Sequence, residues 1–348
     1  MKGQGQPFWP PRPSQAWVDQ RWTFSGLPVV MLENAWLRVL ATPSVGAHIV
    51  SLEYRPHSRE WLWRNPRIPL TTPVYGADFD AYWSGGIDAF FPTCYPSVYE
   101  GVRVPEGGDV WSIPWETQSA TDHNGCTVTF KTSGRIWPVA FERTLSMDHD
   151  RPVLRLTFSM RNDGSTRLPF LFGLHPALAI EQGYRFDLPP GTVRVDEVGG
   201  TNMGTVGQTF EWPFLPGATG DPIDMRMMRG RDDGSFGGHF FTPHDRDLWW
   251  ALTDVKDRVG IGLVADGEAF RGLWLWQVFG GWGGYHHLVA EPWTGYPITL
   301  EGAMILGTIP WVEPGQTMRV TMEMVCYEGL SAINKVGMGG VIEPQTSP

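Results

Sequence analysis

The chain has 348 residues, 42% apolar and 18% charged, which is too apolar for a disordered chain and ample for a large core. Its 37 acidic residues against 27 basic ones give a net charge of -10 with no basic run, so neither a nucleic acid nor an anionic membrane surface is expected as a partner. No apolar stretch approaches the ~18 residues of a membrane helix, and the first residues show no signal-peptide core.

The three cysteines, Cys94, Cys126 and Cys326, are far apart and fit neither a metal-ligand spacing nor a disulfide framework. Free thiols in a reducing, cytoplasmic setting are the expectation.

In chain order, residues 1–20 carry Pro7, Pro10, Pro11 and Pro13 and read as an extended arm. From residue 21 the chain reads as short strands. Val29–Leu32, Leu37–Leu40 and His48–Tyr54 come first, then Cys126–Thr132, Phe141–Met147 and Val153–Met160. Leu273–Val278 is nearly continuous in apolar residues, as a strand buried on both faces would be. Met318–Val325 alternates at period two. Turn sequences such as Asn162-Asp163-Gly164 and Pro189-Pro190-Gly191 separate the runs. No amphipathic helix of useful length intervenes. The pattern predicts an all-β sandwich or barrel, with residues 21–330 as one domain and 331–348 as a loosely attached tail.

Tryptophan is the compositional anomaly, at 18 residues. Most must fill the core, but a few could stack on the apolar C–H faces of a sugar.

Three segments do not look like ordinary strand or turn. Trp83–Pro92 places Gly85 and Gly86, which allow close backbone approach, before the single acid Asp88. Phe170–Leu178 ends an apolar strand on His175, a side chain that titrates near working pH. Gly284–Pro297 brings Glu291 out of the apolar run Leu288-Val289-Ala290, where a carboxylate must be paired, hydrogen-bonded or functional. His175 and Glu291 together make an acid/base pair. His286 and His287 are adjacent, face opposite ways on a strand, and cannot clamp one metal.

These motifs, with Gly46–Leu52, Glu60–Trp63, Val110–Trp115 and Glu291-Pro292-Trp293-Thr294-Gly295, resemble the aldose 1-epimerase (galactose mutarotase-like) family over roughly residues 29–325. The resemblance implies a mostly antiparallel β-supersandwich that binds a small carbohydrate, as a monomer or homodimer. It implies a mutarotase that interconverts α and β anomers by ring opening. His175 is then the acid on the ring oxygen and Glu291 the base on the anomeric hydroxyl, with no metal or organic cofactor. Their functional atoms are expected on the order of 5–8 Å apart, on either side of one ring.

Asp88, Asp109, Trp274, Trp276, Gln277, His287 and Trp293 are the candidate sugar-binding residues. Strand alternation puts Trp274 and Trp276 on one face and Gln277 on the other. The chain departs from the family pattern at Gly107, where many relatives carry a second His, at Ala89 in place of an acid, and at Ser84 where some relatives have Arg. Gly107 is expected to leave room facing the sugar for a bulkier substituent, unless it serves a tight turn. Arg64, Arg67, Arg143 and Arg271 are scattered, which favours a neutral sugar over a phosphorylated one. The competing readings are a non-catalytic sugar-binding or sensing module, and a lyase or hydrolase on the same fold.

Overall fold

The computed structural model describes residues 15–217 and 220–345. Each run predicted as a strand falls within an observed one, from Leu27–Glu33 to Thr317–Glu328. The alternating runs become strands buried on one face only. In Val139–Asp148 every second side chain is buried, and its partner Val153–Asn162 nearly repeats the pattern. Gly272–Phe279, the near-continuous apolar run, is buried along almost its whole length.

The strands form two large sheets, one of 12 strands and one of 8, with antiparallel ladders throughout. At the centre of the larger sheet four strands lie side by side: Ile87–Phe90, Gly173–Leu178, His286–Trp293 and Gly272–Phe279. The core between the sheets takes Val128, Phe141 and Phe158 from the smaller one and Ile49, Leu174 and Leu275 from the larger. Helix is confined to short pieces such as Phe79–Tyr82 and Leu300–Ile305. None is long and apolar enough to cross a membrane.

Both ends of the chain differ from expectation. Residues 1–14 of the expected arm lie outside the described residues, but Trp17–Phe24 is a strand paired with Leu27–Glu33. The expected loose tail is a hairpin, Ile333–Gly337 with Val341–Pro344. Its buried Ile333 and Val336 pack with Trp249, Val264 and Tyr327. Small polar composition hid two apolar residues that anchor the hairpin.

Candidate active site

The site is built by register. Gly173 pairs with Trp293 and Ala177 with Val289, which sets His175 directly opposite Glu291. On its other side His175 faces Asp88, and Glu291 faces Trp274 on the next strand. Asp88, His175, Glu291 and Trp274 therefore form one row across four strands, on one face of the sheet. Their chain neighbours Leu174, Ala290 and Leu275 take the opposite face, and all three are almost fully buried. Residues 116 positions apart in sequence are cross-strand neighbours.

His175 and Glu291 line a cleft of about 190 Å³. The His175 Nε2 to Glu291 Oε1 distance is 3.6 Å. That is shorter than the expected 5–8 Å. The expectation put the sugar ring between the two groups, but the ring oxygen and the anomeric hydroxyl are bonded to the same carbon. An acid and a base serving both can stand side by side under one edge of the ring.

Both groups are deeply buried, with 8% exposure for His175 and 2% for Glu291. Trp293 Nε1 donates to Glu291 Oε2 at 3.0 Å, and the His175 Nδ1 atom has no hydrogen-bond partner in the protein. Burial disfavours charge on each. It lowers the His175 imidazole to about 4, against the pull of Asp88, and raises the Glu291 carboxyl well above its ordinary range, against the Trp293 hydrogen bond. Burial thus favours the uncharged form of each group.

Of the expected sugar-binding residues, Trp274 and Trp276 line the cleft. Gln277 points to the opposite face, as strand alternation requires, and is buried there. The others are corrections. Asp88 accepts a hydrogen bond from His48 Nδ1 at 2.8 Å and lines a separate small recess with it. Phe79 and Trp83 line both spaces and so form the wall between Asp88 and the cleft. Gly86 makes this packing fit, since a Cβ there would lie 2.6 Å from the His48 ring.

Asp109 is fully buried away from the cleft, where Tyr75 Oη and the backbone N–H groups of Ile136 and Trp137 donate to it. His287 is sealed against Trp63 and Trp83, with ring centroids 4.4 and 5.1 Å away. Trp293 supports Glu291 from a fully buried position and does not line the cleft.

Gly107 is also not where expected. Its φ is +67°, and a Cβ would meet the Trp111 indole at 2.5 Å. The room is filled, and the turn explains the glycine. Its neighbour Glu106 is the residue that reaches the cleft.

Sequence reasoning missed three acids that line the cleft, Asp80, Glu106 and Glu197. Asp80 lies on the short helix Phe79–Tyr82 and Glu106 in a loop, outside any periodic pattern. Glu197 follows a β-bulge between Val195 and Glu197 in the strand Gly191–Gly199, which reverses the face its parity predicts. Trp282 and Tyr95 complete the rim. Trp282 stands in the run Gly280–Gly284, whose only sequence signal was glycine content. Among the described residues no group of three or more His, Cys, Asp or Glu could hold a metal ion.

No protein-family model matches this chain, and no curated protein matches it by sequence. Solved structures do. One provisionally named an aldose 1-epimerase, from Klebsiella pneumoniae, matches with a TM-score of 0.68 at 12% identity, over 90% of this chain and 83% of that one. A galactose mutarotase related enzyme from Lactobacillus acidophilus matches at TM-score 0.61 and 16% identity, over 86% and 97%. A galactose mutarotase-like protein from Lactobacillus casei matches at TM-score 0.60 and 16% identity, over 86% and 100%. The fold is that of the galactose mutarotase-like proteins. The likeness spans nearly all of the chain, and identities this low carry the fold alone.

Proposed function

We propose that the protein is a mutarotase acting on a small aldose, with His175 and Glu291 as its proton-transfer pair. The observation that supports this reading most is their direct cross-strand juxtaposition: two buried titratable groups, 3.6 Å apart, open to a Trp-lined cleft.

The chemistry asks little else of the site. One group gives a proton to the ring oxygen while the other takes the proton of the anomeric hydroxyl. The C1–O bond of the ring breaks, its electron pair stays on the ring oxygen, and the C1 carbonyl forms. After rotation about the C1–C2 bond the ring closes on the other carbonyl face, and both protons return. The pair needs one shared proton. With it on His175, the imidazolium serves the ring oxygen and the Glu291 carboxylate the hydroxyl. The neutral form favoured by burial offers the same count of donors and acceptors with the roles exchanged. The aromatic walls supply flat apolar surface for the C–H face of a pyranose.

Proton NMR on freshly dissolved α-anomers tests the reading. Catalysed interconversion of at least one aldose is the expected result. Rates equal to buffer for every sugar, alongside measurable binding, would instead mark a binding module.

A further inference from the structure

The cleft is rich in carboxyl groups and has no basic side chain to balance them. Asp80, Glu106 and Glu197 line it with Glu291, and no Lys or Arg does. The four arginines that could have met a phosphate are all elsewhere. Partial burial raises the three rim carboxyls, opposed at Glu106 by the hydrogen bond from the Phe79 backbone N–H, with Asp78 adding to the effect at Asp80 and Asp80 adding to it at Glu106 and Glu197.

A row of acids alone could be a solvated rim. Here the same cleft ends on two groups more than nine-tenths buried with unused hydrogen-bonding capacity, the His175 ring and the Glu291 oxygen that Trp293 does not hold. The remaining wall is aromatic: Trp276 and Trp282 meet edge to face at 5.7 Å, near Trp274 and Glu197.

Sugar hydroxyls both donate and accept, and the lining indoles and Tyr95 can donate to them, but hydroxyls carry no charge to offset the carboxylates. A protonated amine has three donors and no acceptor. Carboxylates give it charge-assisted hydrogen bonds, and indole faces attract a cation. A metal ion fits less well, because the carboxylates do not converge and ring faces offer no ligand atom. From this lining we infer that the cleft selects a ligand bearing a protonated amine and, resting on the mutarotase reading above, that the substrate class is an aminated aldose.

Calorimetry on the full chain at pH 7 tests the inference with D-glucosamine and 6-amino-6-deoxy-D-glucose, against D-glucose, N-acetyl-D-glucosamine and glucose 6-phosphate. At least one amine should bind about tenfold more tightly than glucose, a ratio in the range of one charge-assisted hydrogen bond. Acetylation should abolish the preference, and the phosphate should bind most weakly. Glu197→Gln and Asp80→Asn, both at the exposed rim, should each lower amine affinity about threefold to tenfold with circular dichroism unchanged. Equal affinities, a preference for the acetylated or phosphorylated sugar, or no binding of either amine would overturn the inference. The two readings fail separately. Amine-selective binding without anomerisation of any sugar removes the mutarotase and leaves the charge selection. Fast anomerisation of glucose with no amine preference does the reverse.

Discussion

Two regions of the large sheets treat charge differently. On the smaller sheet, Lys131 and Glu142 are cross-strand partners joined at 3.1 Å, and Arg155 and Glu323 are partners joined at 2.8 Å. Each of these four charges meets its opposite in register. On the larger sheet one row holds Asp88, His175 and Glu291, two acids flanking one imidazole that burial keeps neutral. The same contrast separates two buried carboxyls. Asp109 receives three donors from the protein, whereas Glu291 receives one. Burial with every partner supplied is architecture. Burial with capacity left over beside an open cleft is where a ligand can act.

The sharpest way to break the comparison is to mutate both sides of it. Glu291→Gln and His175→Asn should each slow anomerisation by roughly 100-fold or more, the range of a general acid or base, with melting temperature little changed. Activity loss that only tracks lost stability would put these two residues on the architectural side with Asp109. Asp109→Ala should give the mirror result. It strands three donors, of which the Trp137 N–H is buried and costs about 1–3 kcal/mol when left unsatisfied, so thermal unfolding should come earlier. The protein that remains folded should keep its kcat.

A pH profile sharpens the account of Glu291. The pair works while it holds one proton. Below about 4 His175 is protonated as well and no acceptor remains, so activity should rise as pH climbs through that value. It should fall again as pH passes the raised value of the Glu291 carboxyl, when no proton is left to give. Trp293→Phe removes the hydrogen bond that favours the carboxylate, so the falling limb should move to higher pH, with a several-fold lower rate. A profile unchanged by Trp293→Phe would mean that another group sets that limb. The smallest effect belongs to the paired charges. Lys131→Ala breaks a half-exposed ion pair and should cost less than about 1 kcal/mol in denaturant melts, with normal turnover.

The fold was legible because most of its strands are long enough to show their period. Alternation in Val153–Asn162 and the continuous apolar run of Gly272–Phe279 each carry their own burial pattern. His175 and Glu291 were legible as polar residues ending apolar runs. What surrounds them was less so. An aspartate in a glycine turn reads alike whether it meets a sugar or His48. Asp109, His287 and Gln277 are buried polar groups of the kind that signals a site, but packing from distant segments closes them off. Asp80 and Glu106 reach the cleft from irregular backbone, where no period tells which way a side chain points.

The bulge before Glu197 acts on its strand as a frameshift acts on a reading frame. Up to Val195 the strand Gly191–Gly199 pairs in one phase with Ser235–Pro243. From Glu197 onward it pairs in the other, opposite Gly238 and in line with Trp276. Asp196 is the inserted letter. Tyr296 Oη and Arg194 Nε, at 2.9 and 3.0 Å, both donate to its carboxylate and hold it in place. The odd and even positions of this strand therefore exchange faces at Asp196. Both halves stay in the ladder, and the shift turns Glu197 to the cleft. Related chains could exchange the acid at the cleft by gaining or losing that single residue, without a substitution at Glu197 itself.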